Sequence, residues 1–327
     1  MNDTTGTTGT TDAAVTAVRD LAHTLHTSLA QVLKGKTAAI DAVITTLLAG
    51  GHVLLEDVPG VGKTTLATAL AGSVNAEVRR IQFTSDMLPT DVTGVTVYDD
   101  EAQRFQFHPG PVFTNFAVGD EVNRASPRTQ SALLEAMAER RVTVDGTTHD
   151  LPDLFMVIAT QNPQDMAGTF PLPEAQRDRF MTRISLGYPE PQAEIDMVLS
   201  HGARRPEELV RSVVGVDDVL AAQRAVRDIA VGEPVARYLV DIVSATRRHP
   251  DIALGASPRA TLHLIRAARA RAAMQGRGFV IPDDVAHLAA MVLPHRLSLR
   301  GRFATVGDAH STAVNLVSRI VASTGLQ

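Results

Sequence analysis

The stretch VLLEDVPGVGKTT, Val53 to Thr65, constrains the fold more than any other part of this chain. Its first residues read as a short buried strand, the next as a Pro/Gly turn, and Gly-Lys-Thr as the opening of a helix. Strand, glycine-rich loop and helix in that order make a cradle for nucleoside triphosphate. The loop turns backbone N–H groups inward, and the helix N-terminus adds positive potential where phosphates sit. Lys63 is placed to reach the β- and γ-phosphates, and the Thr64 hydroxyl to hold Mg²⁺. Asp57 stands where the strict pattern has its first glycine, but Gly60 and Gly62 keep the turn feasible. The expected nucleotide contacts are Pro59, Gly60, Val61, Gly62, Lys63, Thr64 and Thr65.

FAVGDEVNR, Phe116 to Arg124, is the second strong element. Acids at the C-terminal end of a parallel strand face the ligand crevice. Beside a phosphate cradle, Asp120 suits the Mg²⁺ shell opposite Thr64, and Glu121 suits orienting or deprotonating a water. Taken alone, the two acids also fit a solvated turn. Asn162 follows another apolar strand, in MVIATQNP, where its amide would position the attacking water, although Asn-Pro is equally a turn signal. Arg179 in LPEAQRDRF and Arg259 in GASPRA are candidates for stabilising the charge that phosphoryl transfer develops. On spacing alone, plain salt-bridge roles for both stay open.

The rest of the chain supplies the scaffold. Helical spacing predicts helices over Ala13–Leu33 and Lys36–Leu48, separated by Gly35. HVLLE, VRRIQFT, FAVGDE, MVIATQN and RISLGY then read as strands alternating with helices, the pattern of a parallel sheet covered on both faces. VTGVTVYDDEAQRFQFHPG and RVTVDGTTHDL read as hairpins inserted in connections. After Tyr188-Pro189-Glu190-Pro191 helical periodicity takes over. The expected division is a Thr/Gly-rich disordered tail over 1–12, an α/β core over 13–190 and an all-helical domain over 191–327.

Composition narrows the function. With 31 basic and 36 acidic side chains the net charge is -5, which gives no electrostatic argument for nucleic acid as the main partner. No cysteine is present, so thiol chemistry and disulfides are excluded. The longest apolar stretch, Ala42 to Leu55, is too interrupted to span a bilayer, and no basic region with an apolar run opens the chain. A soluble, cytoplasmic protein without membrane insertion is expected.

Six ordered blocks carry a resemblance: VLLEDVPGVGKT, RIQFTSDMLPTDVTGV, DEVNRASPRTQSALLEAMAERRVTVDG, FMVIATQNP, GTFPLPEAQRDRF and GASPRATL. Together they resemble the MoxR family of AAA+ ATPases, from about Gly35 to Leu297. The resemblance implies a P-loop α/β core, a parallel sheet sandwiched by helices, with a C-terminal all-helical lid. It implies ATP and Mg²⁺ as cofactors. Gly60, Gly62, Lys63 and Thr64 match the Walker A loop, and Asp120 and Glu121 match Walker B. Asn162 matches sensor 1, Arg259 matches sensor 2 on the lid, and Arg179 matches the arginine finger that serves a neighbouring subunit. The two hairpins match the family's helix-two insert and pre-sensor hairpin. Two positions depart from the pattern: Gly119 before the acids, where a larger residue or Ala is usual, and Arg177, which competes with Arg179 as the finger. The implied function is ATP hydrolysis in a homo-oligomeric ring, a hexamer, that remodels or matures a client protein. The implied client carries a von Willebrand factor A domain, and metal or cofactor insertion is the implied service. Two alternatives stand beside it: a nucleic-acid motor or loader, against which the acidic balance argues, and a nucleotide-gated switch with slow hydrolysis.

Overall fold

A computed structural model describes residues 7–58, 60–162, 168–188, 191–200, 210–303 and 305–325, with backbone alone at 7–11, 193, 196, 197 and 200. Two helices lead, α1 (Thr7–Val32) and α2 (Thr37–Leu48), separated at Gly35, whose φ is +74°. Helix α1 starts at Thr7, six residues before the apolar spacing begins, so the tail expected through residue 12 is corrected at its end. Extending an existing helix adds one hydrogen bond per residue, so a long striped helix recruits weak formers such as Thr and Gly. Residues 1–6 of that tail lie outside the described residues.

The α/β part follows in alternation: β1 (Val53–Glu56), α3 (Lys63–Ser73), a two-residue β2 (Val74–Asn75), β3 (Val78–Gln82) and α4 (Pro89–Thr93). Then come the hairpin β4 (Gly94–Asp99) and β5 (Arg104–Pro109), β6 (Phe116–Asp120) and α5 (Pro127–Glu139). The hairpin β7 (Arg141–Val144) and β8 (Thr147–Asp150), β9 (Met156–Gln161), α6 (Glu174–Arg177) and β10 (Thr182–Ile184) complete it. Five strands pair in the order β10-β1-β9-β6-β3, and every pairing is parallel. Strands β1, β6 and β9 are apolar on both sides because both faces are covered. Their alternate residues go to two cores. Val53, Leu55, Phe116, Val118, Met156 and Ile158 pack with α1, α2, α3 and the C-terminal helices. Leu54, Ala117, Val157 and Ala159 pack with α5 and Phe83. Register aligns Gln82 with Asp120 and Glu56 with Gln161, so the polar ends of these strands share one edge of the sheet.

Both inserted hairpins are present, and they touch. The Phe107 ring on β5 stacks on His149 of β8 with centroids 3.9 Å apart and planes 14° apart.

The C-terminal part contains α7 (Pro191–Ser200), β11 (Val214–Gly215), α8 (Val216–Arg227), α9 (Glu233–Arg248), β12 (Ile252–Leu254), α10 (Pro258–Met274), α11 (Pro282–Val292), β13 (Ser298–Leu299) and α12 (Val306–Ser323). It is a helical lid with two small additions. Strands β12 and β13 pair antiparallel, and β11 pairs in parallel with β2 of the core. These short strands lie within mainly helical sequence, where so few extended residues leave no period to read. Helix starts follow local chemistry: Ser257 accepts from the Ala260 amide with Pro258 in the first turn, and Thr305 accepts from the Asp308 amide. Helix α1 packs on α3, α8 and α10, so the leading helix joins core and lid in one continuous apolar cluster.

Candidate active site

The loop between β1 and α3 is shaped by two left-handed glycines, Gly60 at φ +83° and Gly62 at φ +94°. A side chain at either position would be strained whatever the space, and Gly62 is the residue that caps α3. Val61, Lys63, Thr64 and Thr65 are half-buried around this turn, and Gly60 is exposed. Pro59 lies outside the described residues.

Asp57, the departure from the phosphate-loop pattern, has a structural task. Its carboxylate accepts from the Val58 amide at 2.9 Å, the Ser185 hydroxyl at 2.8 Å and the Gly187 amide at 2.6 Å. It ties the loop to the chain leaving β10. Burial opposes its charge, but the bonds from Gly187, Ser185 and Val58 outweigh that and hold the carboxyl below its usual range. Lys63 Nζ donates to the carbonyl of Asp57 and to that of Gln161 at 3.2 Å. Burial lowers the Lys63 pKa, opposed by the charges of Asp57, Glu121, Asp120 and Glu56. A half-buried ammonium facing several carboxylates is a receptor for phosphate once a divalent cation neutralises the acids.

Asp120 closes the far side. Its Oδ1 accepts from Thr64 Oγ1 at 3.1 Å and Thr160 Oγ1 at 3.3 Å, and its Oδ2 from Arg80 Nε at 2.5 Å. A buried carboxylate and a hydroxyl side by side are hard oxygen donors, the set that Mg²⁺ takes together with phosphate oxygens. These residues therefore fit Mg·ATP. Glu121 adopts φ 56°, ψ 50°, a left-handed conformation rare for a non-glycine residue. Its amide donates to Thr160 Oγ1 at 3.0 Å, which fixes the turn, and its carboxylate pairs with Arg124 Nε at 3.0 Å. Asn162 is buried at the end of β9, and its carbonyl accepts from Asn123 Nδ2 at 3.3 Å. Gly119 is explained by packing: a Cβ there would stand 3.0 Å from Cε2 of the buried Phe83.

Lys63, Thr64, Asp120 and Glu121 are thus brought together, with Asn162 on the neighbouring strand end. The arginines are placed elsewhere. Arg179 donates to the Leu134 carbonyl of α5 and lines a cleft with Glu135, Glu139, Arg141, Thr143 and Thr148, away from the phosphate loop. The charge of Arg177 acts on the buried Glu56–Arg183 pair, which is closed at 2.7 Å. Arg259 reaches Asp178, with Nη1 3.4 Å from Oδ2.

Sequence reasoning missed Arg80, Thr160, Asn123 and Asp178. Thr160 had a signal, since alternation from Asn162 along β9 places both toward the same side. Arg80, on the outer strand of the sheet, had none, because its partner comes from a different strand.

Comparison with known proteins bears on this geometry. Residues 52–182 match the family described as ATPase family associated with various cellular activities (AAA), and residues 244–314 match the AAA lid domain. The chain is 48% identical over 269 residues to the uncharacterized protein YeaC of Bacillus subtilis, covering 82% of this chain and 84% of that one. It is 41% identical over 289 residues to chaperone MoxR1 of Mycobacterium tuberculosis, covering 85% and 76%. It is 34% identical over 312 residues to protein MoxR of Methylorubrum extorquens, covering 88% and 90%. A crystal structure of a candidate ATPase from Cytophaga hutchinsonii superposes with a TM-score of 0.86 at 33% identity, covering 98% of each chain.

Proposed function

Since the chain belongs to the MoxR family of AAA+ ATPases, we propose that it hydrolyses ATP in a ring of identical subunits and uses the cycle to remodel a partner protein. The observation that carries the reading is the 3.1 Å approach of the Thr64 hydroxyl to Asp120, with Glu121 next along the chain. The core, residues 13–190, would hold the phosphates through the 59–65 loop and Lys63. Thr64 and Asp120 would hold Mg²⁺, which when bound neutralises the phosphate charge. Glu121 and Asn162 would orient the attacking water and accept its proton. The lid, residues 191–327, would contribute Arg259. Arg179 faces a cleft that contains none of the described residues of its own phosphate loop, which supports a role toward the neighbouring subunit. An arginine supplied in trans is worth on the order of 10³ to 10⁵ in rate, so isolated subunits would be poor catalysts.

The client is read from the family. A chaperone-like cycle acting on a protein with a von Willebrand factor A domain, with metal or cofactor insertion as the outcome, is the proposal, and a hexamer is the proposed ring. Among the described residues no helix is long and apolar enough to cross a membrane. The test is turnover and nucleotide binding for the parent, Glu121→Gln and Lys63→Ala, followed by capture of partners on the ATP-held Glu121→Gln ring. ATP binding without turnover in Glu121→Gln, and ATP-dependent capture of such a client, is the expected result. Parent-like turnover in Glu121→Gln, or nucleic acid as the captured partner, overturns it.

A further inference from the structure

Asp178 sits between Arg177 and Arg179 in the segment that follows α6, and the lid grips it from three directions. Ser257 Oγ donates to its two carboxylate oxygens at 2.9 and 3.0 Å, Arg296 Nε to Oδ1 at 2.9 Å, and Arg259 Nη1 to Oδ2 at 3.4 Å. Arg296 also donates to the main-chain carbonyls of Asp178 at 3.2 Å, Phe180 at 2.6 Å and Met181 at 3.1 Å. The backbone on both sides of Arg179 therefore rests on one lid guanidinium.

Two guanidiniums face one carboxylate, and they are not equivalent. The Arg296 side chain is 1% exposed and fixed by several acceptors, including His263 Nδ1 at 2.5 Å. The Arg259 side chain is 47% exposed and, among the described residues, makes a single long polar contact. If Arg259 leaves, Asp178 is still neutralised by Arg296 and still bonded to Ser257. If Arg296 left, three carbonyls and a nearly buried carboxylate would each lose a donor. Arg259 is therefore the exchangeable partner and Arg296 the fixed one. A structural ion pair alone needs only Arg296. A bound γ-phosphate presents several oxygens to a guanidinium, where Asp178 offers Arg259 one contact at 3.4 Å, so it competes with Asp178 for this exposed guanidinium.

We infer that Asp178 is a positioning residue that couples the lid to Arg179: Arg259 is shared between Asp178 and the γ-phosphate, so ATP binding in a subunit loosens the segment carrying the arginine which that subunit offers its neighbour. The inference rests on the proposed roles of Lys63, Arg179 and Arg259. It adds a direction of communication: occupancy of one site sets the finger of the next.

The test reads lid position, independent of turnover. The chain has no cysteine, so spin labels at Arg128→Cys on α5 and Leu262→Cys on α10, both exposed positions, report the core–lid distance without background. The parent is measured with and without Mg and a slowly hydrolysed ATP analogue, alongside Asp178→Asn, with binding of a fluorescent nucleotide as control. The parent distance is expected to shift on analogue binding. In Asp178→Asn the nucleotide-free distribution is expected to lie already toward the bound one, with a remaining shift of about half the parent's or less and with nucleotide affinity retained. Parent-like distances and response in Asp178→Asn overturn the inference, as does a parent that binds analogue without any shift. If Asp178→Asn fails to fold, Arg259→Ala at its exposed site should displace the nucleotide-free distribution in the same direction but less far, because Ser257 and Arg296 still hold Asp178, and Arg259→Lys should restore it; an unchanged Arg259→Ala distribution overturns the inference. A parent that binds no nucleotide removes the reading of the phosphate site first, and the inference with it.

Discussion

The Thr64 hydroxyl donates to Asp120 Oδ1 across 3.1 Å, although 56 positions separate the two residues in the chain. One comes from the first turn of α3 and the other from the end of β6. On the function proposed above, their approach would turn the phosphate loop into a site for a nucleotide–metal complex. Replacing Asp120 by Asn keeps the shape and removes the charge. It should weaken Mg²⁺-dependent nucleotide binding by about 100-fold or more, since even outer partners of metal ligands are worth about 10- to 100-fold. A Mg²⁺ titration of fluorescent-nucleotide binding checks this. An unchanged midpoint would take Asp120 out of the metal site.

Arg80 occupies the other oxygen of the same carboxylate, at 2.5 Å, with its own side chain 62% exposed. A partner this open to solvent contributes at most about 1 kcal/mol. Arg80→Ala should therefore shift the same Mg²⁺ titration to lower concentration, by up to about fivefold, because the cation that competes for Asp120 is gone. A shift to higher concentration would mean that Arg80 supports metal binding.

Asp57→Gly would restore the phosphate-loop pattern in sequence and is expected to harm the protein. It deletes an acceptor of three hydrogen bonds that ties the loop to Ser185 and Gly187. Bonds to charged acceptors are worth about 1.5–3 kcal/mol each in net terms, discounted here by the half-exposed setting. The expectation is a loss of about 2–3 kcal/mol in chemical denaturation, together with weaker ATP binding. A variant as stable as the parent would show that the staple contributes nothing.

His52 should make stability acid-sensitive. The Val157 amide donates to its Nδ1 at 3.0 Å, and its Nε2 donates to the Met137 carbonyl at 3.2 Å, so the neutral ring is fully bonded and a second proton has no place. Burial lowers its pKa to about 4; the Met137 carbonyl opposes this, and the charges of Arg140 and Arg266 reinforce it. The unfolded chain takes up a proton below about 6.5, the folded one only near 4. The unfolded state thus binds more protons between these values. The contribution is complete above pH 6.5 and is lost as pH falls toward 4. Between pH 7.5 and 5 the loss is about 2 kcal/mol from this residue, and His263 and His295 act in the same direction. Urea midpoints across that range should fall for the parent and fall less steeply for His52→Asn. Parallel slopes would remove His52 as a contributor.

The phosphate loop, the acidic pair and the five strands were legible because each is written in contiguous residues. Val53-Leu54-Leu55 is apolar throughout because both faces of a parallel strand are buried, and Gly60 and Gly62 mark left-handed turns that other residues enter at a cost. The hairpin around Asp145-Gly146 was legible for the same reason, with both residues at positive φ. The paired arginines were not. Arg177 and Arg179 are two positions apart and chemically alike, and only packing sets one within electrostatic reach of the Glu56–Arg183 pair and the other onto α5.

The sequence by itself determined the local chemistry: where the main strands, helices and glycine turns fall, and which hydroxyl, carboxylate, amide and ammonium groups flank them. Tertiary structure decided which of those groups meet. Thr64 reaches Asp120, Arg80 competes for the same carboxylate, and the lid arginines converge on Asp178, because sheet register and helix packing set those distances. Charge and hydrogen-bond energies fall steeply with separation. A motif can therefore name the participants, while their partners are fixed only by the fold that brings distant strands and helices within reach.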